Sequence, residues 1–148
     1  SFHEKATPYD ILYKSTYSVH QRVAKEWHIG RVLLAGDAAH LNNPLGGFGL
    51  NSGIHDAIGL AEKLGPVYRG EEDDALLGRY ERQRRNATIE QVQKVSIRNK
   101  KMLEERDAAV QRQRMQEMID VSNDPKRMRV HLLETSMISG LRKAAEVQ

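Results

Sequence analysis

Apolar and polar positions follow three different rhythms along this chain. From Ile11 to Trp27 they alternate in places, with Ile11, Tyr13, Tyr17 and Val19 separated by polar residues. Such alternation, in a stretch rich in Tyr, Thr, Val and Ser, predicts one or two strands with a polar face. His28-Ile29-Gly30 reads as a turn. Val32-Leu33-Leu34-Ala35 is then uninterruptedly apolar between Gly30 and Gly36, the pattern of a strand buried on both faces. Leu41 to Gly49 breaks all regularity with Asn42, Asn43, Pro44, Gly46 and Gly47, and reads as loop. Beyond it Ile54, Ala57, Ile58, Ala61 and Leu64 fall at helical spacing and form one apolar stripe. Asn51 or Ser52 is the expected N-cap of that helix, and Gly65-Pro66 its expected stop.

Helix formers and charges dominate from Leu76 to about Val121. Ile89, Val92, Val95 and Met102 draw a narrow apolar line, which Met115, Met118 and Ile119 resume. No strict heptad persists, so a coiled coil has little support. Asn123-Asp124-Pro125 predicts a break. Val130, Leu133, Met137, Ile138, Leu141 and Ala144 define a final helix. No internal repeat is present. The pattern as a whole gives an α+β chain that is mostly helical.

Composition narrows the picture only slightly. The 148 residues suit one domain, but 39% hydrophobic content and few aromatics make for a thin independent core. The net charge of +3 is too weak for a dedicated nucleic-acid binder. The helical stretch from Arg79 to Arg129 carries 14 basic and 8 acidic residues, interspersed and almost without aromatics, as on a solvated helical face. There is no Cys, hence no disulfide framework, thiolate metal site or Cys nucleophile. No apolar run approaches the ~18 residues of a membrane span. The first ten residues lack a secretory signal pattern, and a cytoplasmic location is expected.

The informative stretch is GRVLLAGDAAHLNNPLGGFGLNSGIHDAIGLAEKL, Gly30 to Leu64. Asp37 follows the apolar run and falls at a strand's carboxyl edge, where open α/β sheets bind ligands. An ionised carboxylate only accepts hydrogen bonds, so a sugar or polyol hydroxyl suits it; capping a turn is the alternative. Gly46, Gly47, Gly49 and Gly53 strip side chains from a loop and the helix start behind it. That exposes N–H donors near Leu50 and Asn51, with the partial positive charge of a helix N-terminus. A mobile surface loop is the alternative reading of the glycines alone.

Familiar phosphate loops do not fit. No Lys follows the glycines, as a Walker loop requires, and Ser52 occupies the third Gly of a dinucleotide fingerprint begun by Gly47-Phe48-Gly49. A flat heterocycle on a polyol tail suits the surface better.

The block GRVLLAGDAAH followed by PLGGFGLNSGIHDAIGLAEKL closely resembles the second flavin-binding motif of the class A FAD-dependent aromatic monooxygenases. The match runs from about Arg22 to Leu64. LLGRYERQRR, Leu76 to Arg85, is similar to the family's YExxRR helix. The resemblance implies that Asp37 holds the ribityl hydroxyls of FAD. It implies that Pro44 lies beside the reactive face of the isoalloxazine, and that Gly46, Gly47 and Gly49 let backbone pass close to that ring. The amides of Leu50 and Asn51 are implied to bond its pyrimidine edge. Gly59 stands where many relatives carry Asn.

By the same resemblance the parent protein hydroxylates an aromatic substrate with FAD and NAD(P)H. The chain then corresponds to the C-terminal third of a Rossmann-like enzyme whose G-x-G-x-x-G unit and substrate acid or base lie upstream. Residues 1–29 become strands at the junction of the substrate and FAD domains, 30–75 the second flavin motif, and 76–148 a C-terminal helical region. The chain alone is expected to be inactive and to form a homo-oligomer. A non-catalytic module for helical self-association or partner binding is the competing function. His40 is expected in a structural hydrogen bond, Trp27 and Tyr17 in packing, and no metal site is expected, since the six His lack ligand spacing.

Overall fold

The computed structural model describes residues 10–148. The first nine residues of the expected 1–29 strand segment lie outside the described residues. The described part is mostly helical, with four two-residue strands: β1 Arg22–Val23, β2 His28–Ile29, β3 Val32–Leu33 and β4 His40–Leu41. β1 pairs antiparallel with β4, placing Val23 opposite His40. β2 and β3 form a hairpin whose turn contains Gly30 at φ 57°. A single 3-10 turn, Gly36–Ala38, separates β3 from β4.

Six α-helices follow: α1 Phe48–Tyr68, α2 Ala75–Ala87, α3 Lys94–Glu104, α4 Ala108–Asn123, α5 Pro125–Thr135 and α6 Ile138–Ala145. A π-helical segment, Thr88–Gln93, joins α2 to α3. Asp107 and Asp124 start α4 and α5 by accepting hydrogen bonds from first-turn amides, as N-cap carboxylates do. Pro125 occupies the first turn of α5, where its missing N–H costs nothing. The expected break at Asn123-Asp124-Pro125 is therefore present.

Two small cores hold these elements. Trp27, Ala39 and Tyr80, with Leu33, Leu34 and Leu60 against them, glue the strand layer to α1 and α2. Phe48, Val92, Val95 and Met137 join the start of α1 to the π segment, α3 and α6.

Several sequence expectations need correction. Residues 10–21 form no strand, and Tyr17 is exposed. The apolar run contributes only Val32–Leu33 to a hairpin, and Val32 is 64% exposed, because no further strand flanks it among the described residues. α1 begins at Phe48 behind Gly47, earlier than an Asn51 or Ser52 cap allows. It also runs through Gly65-Pro66: near the helix end the missing Pro N–H removes a single bond, and Arg69 still donates to the Gly65 carbonyl. The long helical region breaks at Glu105–Asp107, and the final helix divides at Met137, which has φ 66°.

The apolar stripe of α1 is present but uncovered in this chain. Ile54, Ala57, Ile58, Ala61 and Leu64 are all exposed. The covered face is the opposite one, carrying Ser52, Asp56, Gly59 and Leu60 toward α2 and the 3-10 turn. Small residues allow that approach: a Cβ on Gly59 would lie 3.4 Å from Cδ of Arg84.

Candidate flavin-binding site

The site is built where the 3-10 turn meets the first turns of α1. Gly36, at φ 59°, turns the chain so that Asp37 is exposed. The turn sits on α1 through a glycine–glycine contact: a Cβ on Gly53 would lie 3.4 Å from the Gly36 Cα. A Cβ at position 53 would just touch the turn, and a side chain longer than alanine has the Gly36 backbone in its way.

The loop before α1 is anchored rather than loose. The Leu45 amide donates to Asn43 Oδ1 at 3.1 Å, an Asx turn. Asn43 is itself buried, and its Nδ2 donates to Gln21 Oε1 at 2.7 Å and to the Ser96 carbonyl at 3.2 Å. Gln93 Nε2 holds the Leu41 carbonyl and Asn42 Oδ1, and Asn99 Nδ2 donates to the Leu45 carbonyl at 3.3 Å. Gln93, Ser96 and Asn99, spaced by three, thus fasten the loop from one helical face. None of them stood out in the sequence. Polar residues at that spacing look like a solvated face until the loop is placed on them.

Pro44 to Gly47 form a turn closed by the Gly47 amide on the Pro44 carbonyl at 3.2 Å. Gly46 has φ 120° and its absent Cβ would meet the Phe48 ring at 2.4 Å, so only glycine fits. Gly49 is different: a Cβ there meets nothing within 4 Å. The fold gives no reason for glycine at that position, and the open space beside it lies at the helix start. No side chain caps α1, so the amides of its first turn keep unpaired N–H groups. The Asn51 side chain folds back, donating to the Gly47 carbonyl at 2.7 Å, so it does not reach over the first-turn amides. Pro44, Gly46, Gly47, Leu50 and Asn51 are exposed, and Gly49 partly so.

Beneath this surface lies a buried polar cluster. Asp56, fully buried, accepts from the Gly36 amide at 3.1 Å, from His40 Nε2 at 2.8 Å and from Arg84 Nε at 2.8 Å. Burial alone pushes the Asp56 carboxyl up; the hydrogen bond from His40 and the charge of Arg84 outweigh it, holding the group below its ordinary value. His40 stacks on Trp27 with ring centroids 5.6 Å apart, and its Nδ1 has no partner among the described residues. The structural hydrogen bond expected for His40 is therefore present.

The YERQRR segment of α2 is used almost side chain by side chain. Tyr80 donates to the Leu34 carbonyl at 2.8 Å, and Glu81 accepts from the Trp27 amide at 3.1 Å. Arg84 reaches Asp56, and Arg85 Nε donates to the Ala24 carbonyl at 3.1 Å. Burial raises the Tyr80 hydroxyl well above its ordinary value. The segment clamps the strand layer to α1. Asp56 and Arg84 were not singled out from sequence; HDAIGL and YERQRR were the available signals.

Comparison with known proteins fits this geometry. A family model described as FAD binding domain matches residues 1–96. The chain belongs to this family, that of the flavoprotein aromatic monooxygenases. It is 38% identical over 135 residues to para-nitrophenol 4-monooxygenase of Pseudomonas sp. strain WBC-3, covering 90% of this chain and 33% of that protein. It is 49% identical over 76 residues to a 3-(3-hydroxy-phenyl)propionate/3-hydroxycinnamic acid hydroxylase of Mycolicibacterium smegmatis, covering 51% of this chain and 14% of that protein. Among solved structures, p-nitrophenol 4-monooxygenase PnpA of Pseudomonas putida DLL-E4 superposes with a TM-score of 0.72 at 42% identity, over 80% of this chain and 30% of that one. The chain thus spans a third or less of the length of these relatives. Among the described residues no helix is long and apolar enough to cross a membrane, and no cluster of potential metal ligands occurs.

Proposed function

We propose that this chain forms the ribityl- and isoalloxazine-binding part of an FAD-dependent, NAD(P)H-using monooxygenase that hydroxylates an aromatic ring. The observation that carries the reading is the seating of the Asp37 turn on an uncapped, glycine-lined helix start, through the Gly36–Gly53 contact.

The exposed Asp37 carboxylate accepts from the polyol hydroxyls of the cofactor. The uncapped amides at Leu50 and Asn51 donate to the pyrimidine edge, and the α1 N-terminus favours negative charge there. Gly46 and Gly47 shape the backbone turn, and Gly49 leaves its open space to the ring. Pro44, exposed at the turn, borders the reactive face of the isoalloxazine. FAD, when bound, supplies the redox chemistry, taking hydride from NAD(P)H and activating oxygen. No residue of this chain is assigned as acid or base for the substrate; in this reading those groups, and the ADP-binding half of the site, belong to other parts of the protein.

The organisation follows from the same reading: residues 1–29 lead from a substrate domain, 30–75 form the flavin motif, and 76–148 pack around it. The nitrophenol relatives make phenols the first substrate class to test. The exposed α1 stripe supports burial against further protein, by the rest of the fold or a second copy, and a cytoplasmic setting suits the chemistry. Purified full-length protein should consume NADH or NADPH faster when a phenol is added, with hydroxylated product formed. No such stimulation across a phenol panel, with FAD bound, would remove the hydroxylase assignment.

A further inference from the structure

The buried Asp56 carboxylate joins three elements that the flavin reading needs in register. One oxygen, Oδ2, accepts both the Gly36 amide of the Asp37 turn and His40 Nε2 on β4. The other, Oδ1, accepts Arg84 Nε from α2. Asp56 itself lies on α1, about one and a half turns beyond the exposed Leu50 and Asn51. The Arg84 guanidinium also reaches the carbonyl and hydroxyl of Ser52, at 3.4 and 3.5 Å, in the first turns of the same helix. Asp56 is 0% exposed, His40 2% and Arg84 5%, so no solvent competes for these bonds.

We propose that Asp56, with His40 and Arg84, is a positioning residue for cofactor binding, acting through Asp37; this rests on the flavin reading above. The Asp56–Gly36 hydrogen bond fixes the turn whose next residue is Asp37. The Arg84 contacts fix the helix whose first amides face the ring. One carboxylate therefore sets the distance between the polyol acceptor and the ring donors. A hydrogen-bonded charge network suits this task, because each partner accepts only a narrow geometry.

The test is a double-mutant cycle on FAD affinity in the full-length protein, with Asp37→Ala, Asp56→Asn and the combination, read by quenching of flavin fluorescence. Asp56→Asn should weaken FAD at least tenfold in the wild-type background and less than threefold once Asp37 is Ala. Equal effects in both backgrounds mean that Asp56 acts by general stability alone, and overturn the inference. His40→Gln, which keeps an N–H toward Asp56, should bind FAD more tightly than His40→Ala; equal affinities would also overturn it, and this pair serves if Asp56→Asn does not fold. Wild-type protein that binds no FAD sinks the flavin reading itself, a distinct outcome.

Discussion

Arg84 on α2 and Asp56 on α1 form a buried ion pair, with Nε 2.8 Å from Oδ1 and both side chains nearly or fully inaccessible to solvent. It is the central tie between the two helices that carry the family's sequence signature. Desolvating two charges is costly, so the pair is not itself a large source of stability. Its removal by halves is another matter. Arg84→Met leaves the buried carboxylate with only His40 and the Gly36 amide as donors and should destabilise the protein by about 3 kcal/mol, read as a drop in the urea midpoint. A loss below about 1 kcal/mol would show that His40 and the Gly36 amide suffice to hold the charge.

The same carboxyl sets an acid limit. Its native value is depressed, so its stabilising contribution is complete above the unfolded value of about 4 and fades as pH falls through the lower native value. Thermal unfolding from pH 5 downward should show this loss, and Asp56→Asn should flatten it. An unchanged acid limb in that variant would assign acid lability to other groups.

Gly46 and Gly49 should part company. Gly46→Ala meets the Phe48 ring at a positive φ and should destabilise the protein. Gly49→Ala enters open space in a helical first turn and should be neutral or stabilising by up to about 1 kcal/mol without cofactor. Yet it should weaken FAD binding. Melting curves with and without FAD separate the two effects; equal FAD affinity in Gly49→Ala would mean the ring does not approach that position.

Tyr80→Phe keeps the packing on Trp27 but leaves the Leu34 carbonyl without its donor. A loss of about 1 kcal/mol is expected, with FAD affinity unchanged within twofold. A large fall in affinity alone would move Tyr80 from the scaffold to the binding surface.

Much of this was legible in the sequence, but unevenly. The glycine-rich turn, the helix after it and the Asp124-Pro125 break announce themselves, because glycine, proline and capping residues act locally. The stripe Ile54, Ala57, Ile58, Ala61, Leu64 was also legible as helix, and it is the uncovered face of α1 in this chain. Periodicity says that a face is apolar; it does not say what covers it. The face that is covered here packs through Ser52, Asp56 and Gly59, whose partners, Arg84 and His40, are distant in sequence. Likewise Gln93, Ser96 and Asn99 gain meaning only from the loop they hold. Buried polar pairing and loop anchoring are long-range properties, and no local rhythm encodes them.

The central claim is that Asp37 and the Pro44–Asn51 turn hold flavin. Equilibrium titration of FAD onto apo full-length protein, wild type against Asp37→Ala, tests it most directly. The account predicts tight binding with a perturbed flavin absorbance spectrum in the wild type, and at least tenfold weaker binding in the variant with its melting temperature unchanged. Equal affinity in the two proteins would contradict it.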